Sequence, residues 1–101
     1  HHHIRRAKAL GRAIDHGITK AALREMDGDC CCYCGVVMDF GRFTQYDRPP
    51  EMATLEHVIA LSEGGAHTWN NTALSCWQCN ATKGAATEGW TVRTGHRLYV
   101  E

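Results

Sequence analysis

The sequence predicts a small α+β domain that needs more than a hydrophobic core for its stability. Three observations support this prediction: a length of only 101 residues, short strand patterns between helical patterns, and six cysteines. A domain of this size buries a thin core and often depends on disulfides or a bound metal. We expect one domain over residues 1–101, and the apolar content of 44% argues against a disordered chain.

Two helices are expected before the cysteine-rich part. Residues 4–15 carry apolar side chains near helical spacing, and Gly17 is the expected C-terminal glycine of that helix. Thr19 is a candidate N-cap for a second helix over residues 20–26. Residues 1–28 therefore form a basic helical segment.

The cations of this segment are candidates for contact with a phosphate backbone. A solvated helix face is the simpler explanation from charge alone. The candidate residues are Arg5, Arg6, Lys8 and Arg12.

The rest of the chain alternates short strand patterns, turn residues and one helical pattern. Gly84 and Gly89 mark the end region of that helix. The elements expected here are a loop over 41–51, strands over 54–59 and 72–75, a helix over 77–86 and a terminal hairpin over 90–101.

Two Cys-x-x-Cys pairs indicate a bound metal. Two intervening residues let both sulfurs of a pair face one tetrahedral ion, so Cys31, Cys34, Cys76 and Cys79 predict a closed structural zinc site. Cys30 is an alternative to Cys31 in a Cys-x3-Cys arrangement. We prefer Cys31 because it forms a compact knuckle with the turn at residues 33–35.

Disulfides are the competing explanation for the cysteines. No run is apolar enough to span a membrane, and the basic N-terminus lacks the apolar region of a secretion signal. We therefore expect a cytoplasmic, reducing location, where thiols bind metal more often than they pair. Residues 1–3 are all histidine and are typical of the end of a purification tag.

A histidine and several oxygen donors lie between and beside the cysteine pairs. Phosphodiester hydrolysis needs a base near neutral pH, which His57 suits by pKa, and a divalent cation that neutralises charge. Glu56 and Asn80 offer the oxygen ligands that a hard cation such as Mg²⁺ prefers. Strand alternation turns Glu56 and His57 to opposite faces unless the chain bends there. Singly, each residue is weak evidence.

In combination, these residues resemble the HNH endonuclease family, in the zinc-knuckle-containing branch of the ββα-metal nucleases. The matching parts are residues 55–65, Asn71, residues 76–84 and the upstream knuckle at 31–35. The resemblance implies a treble-clef-like ββα domain with N-terminal helices and a core over residues 30–86.

The resemblance also implies a role for each matched position. His57 is the expected general base, and the amide of Asn71 holds the loop after the first strand and so orients His57. Glu56 and Asn80 are the expected ligands of a catalytic Mg²⁺ or Mn²⁺. Glu56 stands where the family usually has Asp, and Asn80 where it has His or Asn. Lys83 is expected either to contact phosphate or to be an exposed helix lysine.

The function implied is metal-dependent hydrolysis of DNA. No membrane partner is expected, and a partner protein would supply any high sequence specificity. A non-catalytic zinc module that binds nucleic acid or protein is the alternative, and an RNA hydrolase is a third. His67 is interpreted as a loop residue rather than a ligand. The three tryptophans, Trp69, Trp77 and Trp90, are expected in the core.

Overall fold

Three short helices and a two-stranded antiparallel sheet form the fold in the computed structural model, which describes residues 2–100. Two single 3₁₀ turns, Leu61–Glu63 and Trp69–Asn71, lie between the strands. The elements are α1 (His2–Ala9), α2 (Lys20–Asp27), β1 (Ala53–His57), β2 (Thr72–Cys76) and α3 (Trp77–Lys83). The predicted α+β class with a ββα unit and N-terminal helices is confirmed.

The sheet leads directly into the last helix. β1 and β2 pair with Leu55 opposite Leu74 and His57 opposite Thr72. All five residues of β2 are buried, so this strand is covered on both faces. Cys76 is the last residue of β2 and also the N-cap of α3, where its side chain accepts a hydrogen bond from the Cys79 N–H. No linker therefore separates the sheet from α3.

The core lies between α2, the sheet and the first cysteine pair. Leu23 of α2 is fully buried, as the apolar face of a short amphipathic helix requires. It packs in one cluster with Cys31, Met38, Ala53, Leu74 and Cys76. A second cluster joins Cys32, Ala73 and Val92. Both clusters contain cysteines, so the thin core is continuous with the cysteine cluster.

The first helix is shorter than predicted, because it ends at Ala9 rather than near residue 15. Gly11 adopts a φ of 68°, and the N–H groups of Gly11 and Arg12 donate to the carbonyls of Lys8 and Ala7. These two bonds form a Schellman motif. Beyond it, Ile14 makes a parallel bridge with His67, so its apolar side chain belongs to an extended segment. The second helix has the predicted Thr19 cap, which accepts from the Ala22 N–H at 3.0 Å.

The predicted terminal hairpin is wrong for residues 90–100, which form turns without a strand; Glu101 lies outside the described residues. The polar groups of this segment bind other parts of the chain instead of each other. The Arg93 N–H donates to the Cys32 carbonyl at 2.7 Å. The Arg97 guanidinium binds both carboxylate oxygens of Asp27 and the carbonyls of Trp69 and Thr72. The segment is therefore docked on the cysteine knuckle and on the start of β2.

Among residues 2–100, no helix has the length and apolar character needed to cross a membrane. Of the three N-terminal histidines interpreted as a tag, His1 lies outside the described residues.

Candidate metal centre and catalytic cleft

The two cysteine pairs meet at one point. One ligand atom from each of Cys31, Cys34, Cys76 and Cys79 lies within 4.8 Å of the others, as one metal ion requires. This is the set predicted from the spacing. Cys30 is outside it and forms an antiparallel bridge with Val37 at the base of the knuckle.

Backbone geometry prepares these sulfurs for a metal. Gly35 has a φ of 79°, which closes the knuckle, and its N–H donates to the Cys31 carbonyl. The N–H of Tyr33 donates to the Cys31 sulfur at 3.4 Å. The pKa of the Cys31 thiol is lowered, because the Cys32 thiol and backbone N–H groups donate to it. Burial raises the pKa of Cys76, a penalty that a cation in the cluster would offset. The donor set therefore fits a tetrahedral zinc ion.

A separate polar cleft of about 320 Å³ contains the predicted base and both predicted oxygen ligands: His57, Glu56 and Asn80. Strand alternation does not keep Glu56 and His57 apart, because both residues line this cleft. His57 is the last residue of β1, and the chain bends immediately after it at Val58 and Ile59. Helix α1 also lines the cleft, through His3 and Arg6.

His57 is hydrogen-bonded to a second histidine. Its Nε2 lies 3.0 Å from Nδ1 of His67, and one of these nitrogens must donate while the other accepts. His67 lies in the segment between β1 and β2, as interpreted from the sequence, but it is only 2% exposed and its side chain contacts the predicted base. Burial, with smaller contributions from His3 and His67, lowers the pKa of His57 to about 4. His57 is therefore neutral at pH 7 and able to accept a proton.

Glu56 is already partnered inside the cleft. Its Oε2 accepts a 2.8 Å hydrogen bond from the Tyr33 hydroxyl and lies 3.3 Å from Nζ of Lys83. The Lys83 side chain is 0% exposed, which excludes both an exposed helix lysine and a direct phosphate contact. Burial raises the pKa of Glu56, while Tyr33 and Lys83 act in the opposite direction.

Asn80 lies on α3, one residue after the last cysteine of the cluster. Its Nδ2 donates to the Thr54 hydroxyl at 3.1 Å, and that hydroxyl donates to the Ser75 carbonyl. This chain of bonds fixes which end of the amide is the donor. The Oδ1 oxygen has no partner within residues 2–100 and is available as a ligand.

Asn71 holds together the loop that follows β1. Its Oδ1 accepts from the Ile59 N–H at 2.9 Å, and its Nδ2 donates to the carbonyls of Ile59 and Ala66. Gly65 lies against the same place, where an added Cβ would collide with the Ile59 carbonyl. The loop is thus pinned within two residues of His57.

The basic residues of α1 differ in their surroundings. Arg5, Arg6 and Lys8 are exposed, and Arg6 reaches the cleft. Arg12 instead donates from Nε to the Leu61 carbonyl at 3.0 Å, so it fixes the loop after β1.

The three tryptophans are all partly buried, and only Trp69 packs against a core cluster, as the sequence predicts. Trp90 packs edge-on against Tyr33 instead.

The fold and these two sites define a ββα domain whose sheet and helix support a four-cysteine cluster and a separate cleft with a histidine and oxygen donors. Residues 31–86 match the family described as HNH endonuclease, which is more than half of the chain. The chain therefore belongs to the HNH endonuclease family, and the family indicates a nuclease-type function with metal binding. The comparisons with curated proteins and with solved structures gave no match.

Proposed function

We propose that this protein is an endonuclease that hydrolyses DNA phosphodiester bonds with one catalytic divalent cation and a structural zinc ion. The observation that carries the proposal is the cleft itself, into which β1 and α3 bring His57, Glu56 and Asn80. A base and two oxygen donors on one wall are the minimum that metal-assisted hydrolysis requires. The family match supports the same reaction class.

The roles follow from the contacts. His57 accepts a proton from water that enters the cleft, and Asn71 keeps the loop after His57 in place through three hydrogen bonds. Glu56 and Asn80 would hold Mg²⁺ or Mn²⁺, which supplies charge neutralisation on the phosphate and the leaving oxygen. Arg6 supplies a cation at the mouth of the cleft. The four cysteines would hold zinc in a reducing, cytoplasmic setting.

One observation favours the non-catalytic alternative. The ligand Glu56 is paired with Lys83, and Nε2 of the base is bonded to His67. To act, Glu56 must share its carboxylate between Lys83 and a metal ion, and His57 must accept a proton while its ring stays bonded to His67. A domain that only binds nucleic acid through its basic helix would keep both pairs permanently.

Plasmid cleavage distinguishes the two functions. Zinc-loaded wild type is incubated without added metal, with Mg²⁺ and with Mn²⁺, beside His57→Ala and the exposed control His16→Ala. We expect cleavage only with added metal, loss of at least about 100-fold in His57→Ala, and no loss in the control. The ratio of nicked to linear plasmid shows whether one strand or both strands are cut. Folded wild type that leaves the plasmid intact with every metal would establish the non-catalytic alternative.

A further inference from the structure

A second hollow lies beside the catalytic cleft. It has a volume of about 630 Å³ and is lined by α2, the loop over residues 41–48, β1 and the start of α3. Thr54 lines it, and the Thr54 hydroxyl accepts the hydrogen bond from Asn80, a residue that lines the cleft. The two hollows therefore share the wall formed by Thr54 and Asn80. We call the second hollow the Arg42 pocket; the residues that define it are Lys20, Arg42, Phe43, Arg48 and Trp77.

The charged residues that line the Arg42 pocket all carry positive charge. They are Lys20, Arg42 and Arg48, and no carboxylate lines the hollow. Arg42 and Arg48 are exposed, and neither forms an ion pair with another residue of the described chain. Lys20 makes one bond, from Nζ to the Ala53 carbonyl at 3.4 Å. By contrast, Arg24 and Arg97 are both paired with carboxylates.

The Arg42 pocket also has aromatic walls. Phe43 and Trp77 line it and are only partly buried, so neither ring is used up by the core. Cations along a groove combined with accessible aromatic rings are the usual means of binding single-stranded nucleic acid. Arginine binds the phosphates, and a base stacks on the ring whatever its identity. The volume is within the range of ordinary ligand pockets.

We propose that the Arg42 pocket binds an unpaired nucleotide of the strand whose phosphate occupies the neighbouring cleft. Arg42 and Arg48 contact its phosphate, and its base stacks on Phe43, while Trp77 lines the same hollow. This proposal rests on the proposed nuclease function, because that function places a strand at Asn80. It assigns the protein a preference for substrates with unpaired nucleotides next to the cut.

Binding of oligonucleotides tests the pocket separately from cleavage. Zinc-loaded protein without added Mg²⁺ or Mn²⁺ is titrated into labelled oligothymidylate and into an abasic oligomer of equal length. One variant is the double substitution Arg42→Gln and Arg48→Gln. Two single variants change the aromatic rings: Phe43→Ala removes one ring, and Trp77→Phe keeps a ring in place. Arg24→Gln is the control for arginine loss, since Arg24 is already paired with Asp29.

We expect wild type to bind oligothymidylate at least about fivefold more tightly than the abasic oligomer. The double arginine variant should bind at least about tenfold more weakly, with the salt slope reduced by about 1.4, and Arg24→Gln should bind like wild type. Phe43→Ala should lose the preference over the abasic oligomer. Wild-type affinity in the double variant, or equal binding of both oligomers by wild type, would overturn the proposal.

The outcome is separable from that of the nuclease proposal. If the protein binds as expected but cuts no DNA with any metal, the Arg42 pocket proposal is supported and the nuclease proposal is overturned. If the protein cuts but binds independently of Arg42, Phe43 and Arg48, the nuclease proposal is supported and the pocket proposal is overturned.

Discussion

Nε2 of His57 and Nδ1 of His67 are 3.0 Å apart in the interior of the protein, so the proposed base has a neighbour that fixes its ring. His67 is in turn held by backbone bonds to Ala13 and Asp15. The segment after α1 therefore positions His67, and His67 positions His57.

His67→Ala removes this support and should lower kcat by about 10- to 100-fold with little change in KM, because the base loses its fixed orientation. His67→Asn retains a polar group near the place of Nδ1 and should recover part of kcat. Steady-state cleavage of a labelled duplex measures both constants, with His16→Ala as the exposed control. An increase in KM with kcat unchanged would show that His67 contacts the substrate instead.

Lys83 and Glu56 form a buried pair, with 0% and 7% of their side chains exposed. Lys83→Met leaves the Glu56 carboxylate without its cation and should lower the free energy of unfolding by about 3–5 kcal/mol. Adding Glu56→Gln removes the stranded charge and should recover much of that loss. Urea unfolding checks both variants, and Lys8→Met at an exposed position of α1 should change little. Equal stability of Lys83→Met and Lys8→Met would contradict the pair.

The cysteine cluster predicts different outcomes for replacing a cysteine inside the cluster and one outside it. Cys76→Ser removes a proposed zinc ligand while leaving a hydroxyl that can still cap α3, so the protein should lose its zinc and unfold through that loss alone. Cys30→Ser lies outside the cluster and should retain one zinc per chain and a normal melting temperature. Elemental analysis and circular dichroism give the two readouts. Zinc loss in Cys30→Ser but not in Cys31→Ser would show that Cys30, and not Cys31, is the zinc ligand.

Asn71 makes three hydrogen bonds to the loop after His57. Asn71→Ala leaves buried backbone groups unpaired and should cost about 2–4 kcal/mol of stability. Activity should fall further than the loss of folded protein explains, because the loop directly follows the base His57 and holds it in place. Urea unfolding and cleavage rates of the folded fraction separate these effects. The neighbouring Asn70 is exposed, and Asn70→Ala should be nearly neutral in both measurements.

The buried histidine of the cleft predicts a loss of stability in acid. The pKa of His57 is about 4 in the folded protein, below the ordinary value of 6.5, so the unfolded chain binds its proton first as pH falls. The stabilisation is complete above pH 6.5 and should decline by about 2 kcal/mol between pH 6.5 and 5. His57→Asn should show a smaller decline over this range than wild type or His16→Asn, with zinc content monitored throughout. Parallel declines in all three proteins would assign the effect to other groups.

The ligand cluster and the ββα unit could be predicted because their signals are local. A Cys-x-x-Cys pair fixes its own geometry, and the strand and helix patterns lie directly beside it. The end of α1 was harder, since Gly11 and Gly17 are both credible terminators and only the contact of Ile14 with His67 decides between them. Periodicity could not distinguish an apolar residue in a helix from one in an extended segment.

The surroundings of the cleft could not be predicted for the same reason. A lysine on a short helix is usually exposed, and only the packing of α3 on β1 places Lys83 against Glu56. The role of Tyr33 as a hydrogen-bond donor to Glu56 also depends on residues far apart in the chain. His67 did carry one signal, since it lies in the loop between His57 and Asn71, both of which the resemblance had assigned. The predicted terminal hairpin was wrong because Arg93 and Arg97 form hydrogen bonds with distant residues instead of pairing with each other's segments.

The contacts of Arg97 also bear on the order in which the protein can fold as it leaves the ribosome. The Arg97 guanidinium ties Asp27 at the end of α2 to the carbonyls of Trp69 and Thr72. Every residue proposed for catalysis is translated before Arg97. A nascent chain can therefore expose all of these residues before the Arg97 contacts between α2 and the start of β2 have formed. Those polar contacts join the core packing of Leu23 on Leu74 only once residue 97 has emerged.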